Sequence, residues 1–173
     1  MSNYFLSLRF AVKLETKYHS LMNIIEKHKV GDATALRACF SLLSAGNKID
    51  KACATRLAVH QLSESRFLLL TLLFEYGALS PLALAQLSGV TKPTITSLTT
   101  ALEKEGLIIR SDVAEDGRKF EISLTEAGRT LIGVVFQDHS RWITRITQNL
   151  SQQEMNLLVG LLDKMFVNNP DNE

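Results

Sequence analysis

A hydroxyl-rich segment over residues 92–105 is the part of this sequence whose side chains are best suited to bind a polyanion. Helical spacing places Ile95, Leu98 and Leu102 on an inward face. The outward face carries Pro93, Thr96, Ser97, Thr100 and Lys104, with Lys92 and Glu103 at its flanks. Serine and threonine hydroxyls can bind phosphates or base edges, and the amino end of a helix attracts phosphate. The segment therefore predicts a helix that reads nucleic acid, with an ordinary solvated helix face as the alternative.

A second group of charged residues surrounds the dipeptide Asp116-Gly117, which favours a tight hairpin turn. Arg118 and Lys119 follow the turn, where a hairpin tip can reach a DNA backbone or minor groove. Asp116 either makes the turn alone or also orients the Arg118 side chain. Arg110, on the preceding strand, completes the set of candidate DNA-binding residues.

The elements that position these residues are predicted in a fixed order. Ser80-Pro81 is a strong helix start, Gly89 ends that short helix, and Thr91 is a candidate cap for the next. Two short helices joined by a tight turn outline a helix-turn-helix. The periodicity then changes to two over residues 107–110 and 120–124, which predicts a β-hairpin. A helix-turn-helix followed by a hairpin is the order of a winged helix.

Long helices are predicted on both sides of this winged helix. Asp32 is a candidate cap for a helix that extends to about His60, and residues 151–154 form a capping box for the last helix. The apolar stripe of the first of these helices is long enough to face a partner chain in part. We therefore predict a mainly α fold with a small β-hairpin wing. Its parts are an N-terminal helical extension over 1–31, dimerisation helices over 32–62 and 130–173, and a winged helix-turn-helix over 63–129.

Four segments resemble the MarR family (multiple-antibiotic-resistance regulators): residues 79–98, 102–108, 116–118 and 124–128. The resemblance covers roughly residues 35–167 and implies a homodimeric winged-helix transcription factor whose DNA binding is relieved by a small ligand or an oxidant. It also implies that Thr94 through Ser97 read bases and that Asp116 and Arg118 form the wing pair. Ser97 stands where many members carry arginine, and the wing is less basic than in many relatives.

Composition and charge exclude several classes of protein. The chain has 173 residues, of which 46% are hydrophobic and 21% charged, as in a globular protein with a core. The net charge of +1 excludes a protein that holds nucleic acid by being polybasic throughout. Residues 1–60 hold nine basic and four acidic residues, whereas residues 65–129 hold seven and eight. No targeting segment or membrane span is predicted, so we expect a soluble cytoplasmic protein.

The cysteines are the remaining reactive side chains. Cys39 matches the position of the reactive cysteine in the hydroperoxide-sensing branch of the family, which makes it a candidate redox residue. The two tyrosines of that branch are replaced here by Cys53 and Glu64, so we expect packing roles for both cysteines instead. Cys39 and Cys53 are fourteen residues apart, about 21 Å along a helix, which is too far for a disulfide.

No catalytic or metal-binding pattern is found in the sequence. The four histidines have no companions at metal-ligand spacing, and there is no phosphate loop, nucleophile elbow or carboxylate pair. We therefore expect no enzyme, no metal and no cofactor. The leading hypothesis is a homodimeric repressor of a pseudo-palindromic DNA operator, with a small-molecule effector implied by the family. The alternative is a winged-helix interaction module that no longer binds DNA.

Overall fold

The computed structural model describes residues 14–112 and 120–167. They form seven helices and a two-stranded hairpin, which confirms the predicted mainly α fold with a small β-hairpin. The chain divides into two compact units, residues 1–59 and 60–173. The first unit contains α1 (Thr16–His28) and α2 (Ala33–Ala58). The second contains α3 (Glu64–Tyr76), α4 (Pro81–Ser88), α5 (Lys92–Lys104), β1 (Ile108–Asp112), β2 (Phe120–Leu124), α6 (Glu126–Ile146) and α7 (Gln152–Phe166).

In the first unit, α1 and α2 pack as a helical hairpin. Asp32 caps α2 as predicted, since its carboxylate accepts hydrogen bonds from the backbone N–H groups of Thr34 and Ala35 at 2.7 and 3.2 Å. The rings of Tyr18 and Phe40 stack between the two helices with centroids 5.0 Å apart. The predicted apolar stripe of α2 is only partly covered, because large apolar side chains of this helix are exposed, namely Leu43 and Ile49.

In the second unit, α3 is the central element. It packs against α4, α5, α6 and β2, and it buries Leu69, Leu70 and Leu73 completely. Each fully buried leucine contributes about 2 kcal/mol of transfer free energy. The neighbouring elements also bury apolar side chains, among them Leu84, Ile95, Leu102, Ile108, Ile122 and Ile132. The core therefore fixes the position of α5 through the buried face of this helix.

The hairpin is antiparallel and pairs Ile108 with Leu124 at one end and Asp112 with Phe120 at the other. Leu79 adds a single bridge to this sheet: its N–H donates to the carbonyl of Ile122 at 3.0 Å, and its carbonyl accepts from the Ile122 N–H at 2.9 Å. This bridge joins the segment before α4 to the wing, and the sequence gives no signal for it.

Side-chain caps begin several helices, among them α4 and α7, where the sequence predicts them. The hydroxyls of Ser63, Ser80 and Thr125 accept hydrogen bonds from the first turns of α3, α4 and α6. The capping box of α7 is complete, because Ser151 and Glu154 each bond the other's backbone N–H. The N–H and the hydroxyl of Ser151 both donate to the Glu154 carboxylate at 2.8 Å, which lowers the pKa of this carboxyl below its usual range.

Candidate nucleic-acid interface

The two faces of α5 differ in burial as its sequence predicts. Ile95 and Leu102 are fully buried, while Leu98 is only half-buried. Thr99 is also buried, with 2% of its surface exposed, although it does not belong to the predicted inward face. The remaining candidate positions of the helix are all exposed, and they are Lys92, Pro93, Thr94, Thr96, Ser97, Thr100 and Lys104.

The exposed hydroxyls of α5 differ in their hydrogen bonds. Thr96 donates to the Lys92 carbonyl at 3.1 Å, which leaves its oxygen free to accept. Thr100 accepts a hydrogen bond from Arg110 at 3.1 Å, which leaves its own O–H available to donate. Within the described part of the chain Ser97 forms no hydrogen bond through its hydroxyl, so it can donate or accept. Together these three side chains can satisfy either kind of base edge or a phosphate.

The amino end of α5 has no side-chain cap. Thr91 stands at the cap position, but its hydroxyl pairs with that of Thr94 at 2.9 Å, so the predicted capping role of Thr91 is wrong. Pro93 occupies the first turn and has no N–H to satisfy. The backbone N–H groups of this turn and the Lys92 side chain therefore present positive charge at an exposed helix end, an arrangement that attracts anions such as phosphate.

Arg110 contacts α5 from strand β1. Its Nε lies 3.3 Å from Glu103 Oε2, and its Nη2 donates to the hydroxyls of Thr99 and Thr100 at 3.3 and 3.1 Å. The guanidinium carbon lies 5.4 Å from the centre of the Phe120 ring on β2. The structure thus places this candidate DNA-binding residue between α5 and the hairpin.

The carboxyl end of α5 is fastened to the rest of the second unit by residues outside the predicted site. Arg66 at the start of α3 forms an ion pair with Glu105, which follows α5. Thr125 donates from its hydroxyl to the Gly106 carbonyl at 2.7 Å and from its N–H to the Leu107 carbonyl at 3.1 Å. Because these bonds hold both ends of the wing, the position of the hairpin relative to α5 is fixed at its base.

The model of the MarR family matches residues 62–120. Over 152 residues the chain is 33% identical to the HTH-type transcriptional repressor YetL of Bacillus subtilis (strain 168), an alignment that covers 87% of this chain and 91% of YetL. The chain belongs to the MarR family. The homoprotocatechuate degradative operon repressor of Escherichia coli is 27% identical over 107 residues, which cover 62% of this chain and 72% of that protein. The names of these relatives describe regulators, a role that is not enzymatic.

Solved structures of other proteins have the same fold as this MarR-family chain. NadR in complex with 4-hydroxyphenylacetate matches with a TM-score of 0.57 and 26% identity, covering 72% of this chain and 88% of NadR. A mutant MarR from E. coli complexed with operator DNA matches with a TM-score of 0.60 and 21% identity, covering 72% and 90%. The winged-helix architecture predicted from the sequence is therefore confirmed.

The tip of the wing in this MarR-family chain, residues 113–119, lies outside the described residues. The predicted contacts of Asp116, Arg118 and Lys119 lie there and stay predictions. The described hairpin leads to this segment from both sides, since Asp112 and Phe120 are paired.

The two cysteines of this MarR-family chain lie in one continuous helix, α2, which excludes a disulfide between them. Cys53 is half-buried, consistent with packing. Cys39 is exposed, so the packing role expected for it is not seen within its own unit. No group of three potential metal ligands occurs among the residues that the structure describes, and no helix among them is long and apolar enough to cross a bilayer.

Proposed function

We propose that this MarR-family chain is a homodimeric, cytoplasmic repressor that binds a DNA operator through α5 and is released by a small ligand or another signal. The exposed face of α5 supports this most, because it combines hydroxyls and lysines with an uncapped amino end. The relatives agree: YetL is named a repressor, and the MarR of E. coli has been solved with operator DNA. The effector is proposed from NadR, which has been solved with 4-hydroxyphenylacetate.

Exposed apolar faces of α6 and α7 support the homodimer. None of the described α7 side chains is buried, although this helix carries many large apolar residues. The exposed apolar side chains of the two helices are Val134, Phe136, Ile143, Ile146, Leu157, Leu158, Val159, Leu161 and Met165. A 15-residue helix is marginal in water on its own, so α7 needs a partner surface, which a second copy supplies. Two-fold symmetry would then place the two α5 helices about 34 Å apart, in successive major grooves.

A winged-helix interaction module that does not bind DNA is the second candidate function. Residues 65–129 hold one more acidic than basic residue, and Ser97 offers a weaker contact than the arginine of many relatives. Two lysines on the exposed face of α5 and its uncapped amino end argue against this candidate, because both attract phosphate.

The recognition role of α5 is tested by replacing two of its exposed hydroxyls. Thr96→Ala and Ser97→Ala each remove one contact to a base edge, so we expect the preferred base at one operator position to change or relax. A single neutral hydrogen bond is worth about 1 kcal/mol, which corresponds to a roughly five-fold change in preference. Binding-site selection from a randomised DNA pool, followed by sequencing, measures this preference for each variant.

Thr144→Ala is the matched control for Thr96→Ala. Thr144 is an exposed helical threonine whose hydroxyl donates to the carbonyl four residues earlier, Ser140, at 3.0 Å, as Thr96 donates to Lys92. The control should keep the base preference of the unmodified protein. If the preferences of both α5 variants equal that of the control, another face of the protein reads the DNA.

A further inference from the structure

Among the candidate DNA-binding residues that the structure describes, Arg110 is the basic one whose surroundings fit a contact with DNA least well. Its side chain is 32% exposed, and its guanidinium bonds two threonines and one glutamate of α5. A DNA phosphate would have to compete with the Glu103 carboxylate, which already pairs with the Arg110 charge at 3.3 Å. The lysines of α5 face no such competition from a carboxylate within the described part of the chain.

We propose that Arg110 is a positioning residue, which fixes wing strand β1 to the recognition helix α5 through Glu103, Thr99 and Thr100. Sequence-specific DNA affinity then depends on the Arg110–Glu103 pair although neither side chain contacts DNA. This inference rests on the proposed function, since it concerns how α5 is held for reading.

The first route by which Arg110 acts runs through the buried hydroxyl of Thr99. That hydroxyl accepts a hydrogen bond from Arg110 at 3.3 Å and donates one to the Thr96 carbonyl at 3.1 Å. A chain of hydrogen bonds thus extends from the wing to the backbone of a residue that faces DNA. A shift of Arg110 would therefore shift the backbone on which the reading side chains are mounted.

The second route runs through Thr100 on the exposed face. Because Arg110 donates to the Thr100 oxygen, the Thr100 hydroxyl hydrogen is left to point outward. Thr100 then acts as a donor, and its partner must be an acceptor such as a phosphate oxygen, guanine O6 or N7, or thymine O4. Arg110 in this way selects which kind of partner this position accepts.

Substitutions of Glu103 and Arg110 separate positioning from a direct phosphate contact. Glu103→Gln removes a negative charge near the DNA, so it should tighten binding if Arg110 contacts phosphate. If Arg110 positions α5, the same change should weaken binding by about five-fold, since the ion pair is lost. Arg110→Lys keeps the charge but loses the planar fork, so positioning predicts that it binds as weakly as Arg110→Gln.

The salt dependence of binding gives an independent readout. Log affinity falls linearly with log salt concentration, and each phosphate contact makes this fall steeper by about 0.9. Positioning predicts that Arg110→Gln keeps the slope of the unmodified protein, whereas Lys104→Gln, the variant of an exposed lysine on α5, lowers it. A slope lowered by about one in Arg110→Gln would overturn the proposal, as would full affinity in Arg110→Lys.

Two controls keep the outcomes distinct. Glu121→Gln removes a negative charge from an exposed residue of β2 and should leave affinity equal or higher. A thermal unfolding curve of each variant must show that it is folded at the assay temperature, so that a loss of affinity reflects the site. If the unmodified protein shows no saturable binding, the proposed function fails. If it binds and Glu103→Gln tightens binding, only the role of Arg110 fails.

Discussion

Replacing Gly128 by Ala will strongly destabilise the protein. A Cβ atom at this position would lie 2.0 Å from the carbonyl oxygen of Leu107, which is backbone and cannot move aside as a side chain can. The same carbonyl accepts the N–H of Thr125, so the start of α6 cannot retreat without losing that bond. We expect a loss of about 3 kcal/mol, which lowers the midpoint of thermal unfolding by roughly 10 °C.

Gly133→Ala is the matched control, because Gly133 lies in the same helix. Its added Cβ would meet only the Phe74 ring at 3.9 Å, an ordinary van der Waals contact. Alanine is also the better helix former, so this variant should be as stable as the unmodified protein or slightly more stable. Both variants should be compared at one protein concentration, since association couples to unfolding. Equal midpoints for Gly128→Ala and Gly133→Ala would show that α6 does not approach Leu107 this closely.

The double substitution Leu158→Glu, Leu161→Glu will convert the protein to a monomer and abolish most operator binding. The two leucines are 45% and 51% exposed, so the fold of a single chain loses little when they change. In the proposed dimer their charged replacements would be buried, at a cost of several kcal/mol. A monomer can occupy only one half-site, so affinity for the full operator should fall at least about 100-fold.

Gln153→Glu, Asn156→Glu adds the same two charges at the same spacing on the opposite, polar side of α7. Light scattering coupled to size-exclusion chromatography measures the mass of each variant. We expect twice the chain mass for the unmodified protein and for this control, and the mass of one chain for the leucine variant. A leucine variant that keeps the mass of a dimer would rule out this face of α7 as the interface.

Much of the fold follows from local signals that act within a few residues. Ser80 and Asp32 cap their helices because a short polar side chain can reach the N–H groups of the next turn. The change of period after α5 predicts the hairpin because alternation matches the geometry of a strand. These signals need no knowledge of the rest of the chain, so they could be read from the sequence.

Contacts that join distant segments could not be predicted. Leu79 bridges Ile122 through its backbone alone, and a single bridge leaves no pattern in side-chain types. Thr99 is buried, whereas Thr96 and Thr100 on the same helix are exposed. Its buried hydroxyl accepts a hydrogen bond from Arg110, which lies on another element. The ion pair of Arg110 with Glu103 could not be predicted either, since a long basic side chain near a wing does not reveal its partner.

The apolar stripe of α7 shows a different limit. Leucines at helical spacing predict a buried face, but the pattern is the same whether the cover is this chain or another copy. Only the structure shows that Leu158 and Leu161 stay exposed within the chain. The sequence therefore predicts that α7 has an apolar face to be covered, but not whether the same chain or a second copy covers it.

Binding of labelled genomic fragments over a series of salt concentrations tests most directly the claim that this MarR-family chain is a sequence-specific DNA-binding regulator. We expect saturable retention of a few fragments against a large excess of competitor, with affinity falling steeply as salt rises because phosphate contacts release counterions. Absence of saturable binding at the lowest salt, by protein that is folded and dimeric, would contradict the account and leave the interaction module as the function.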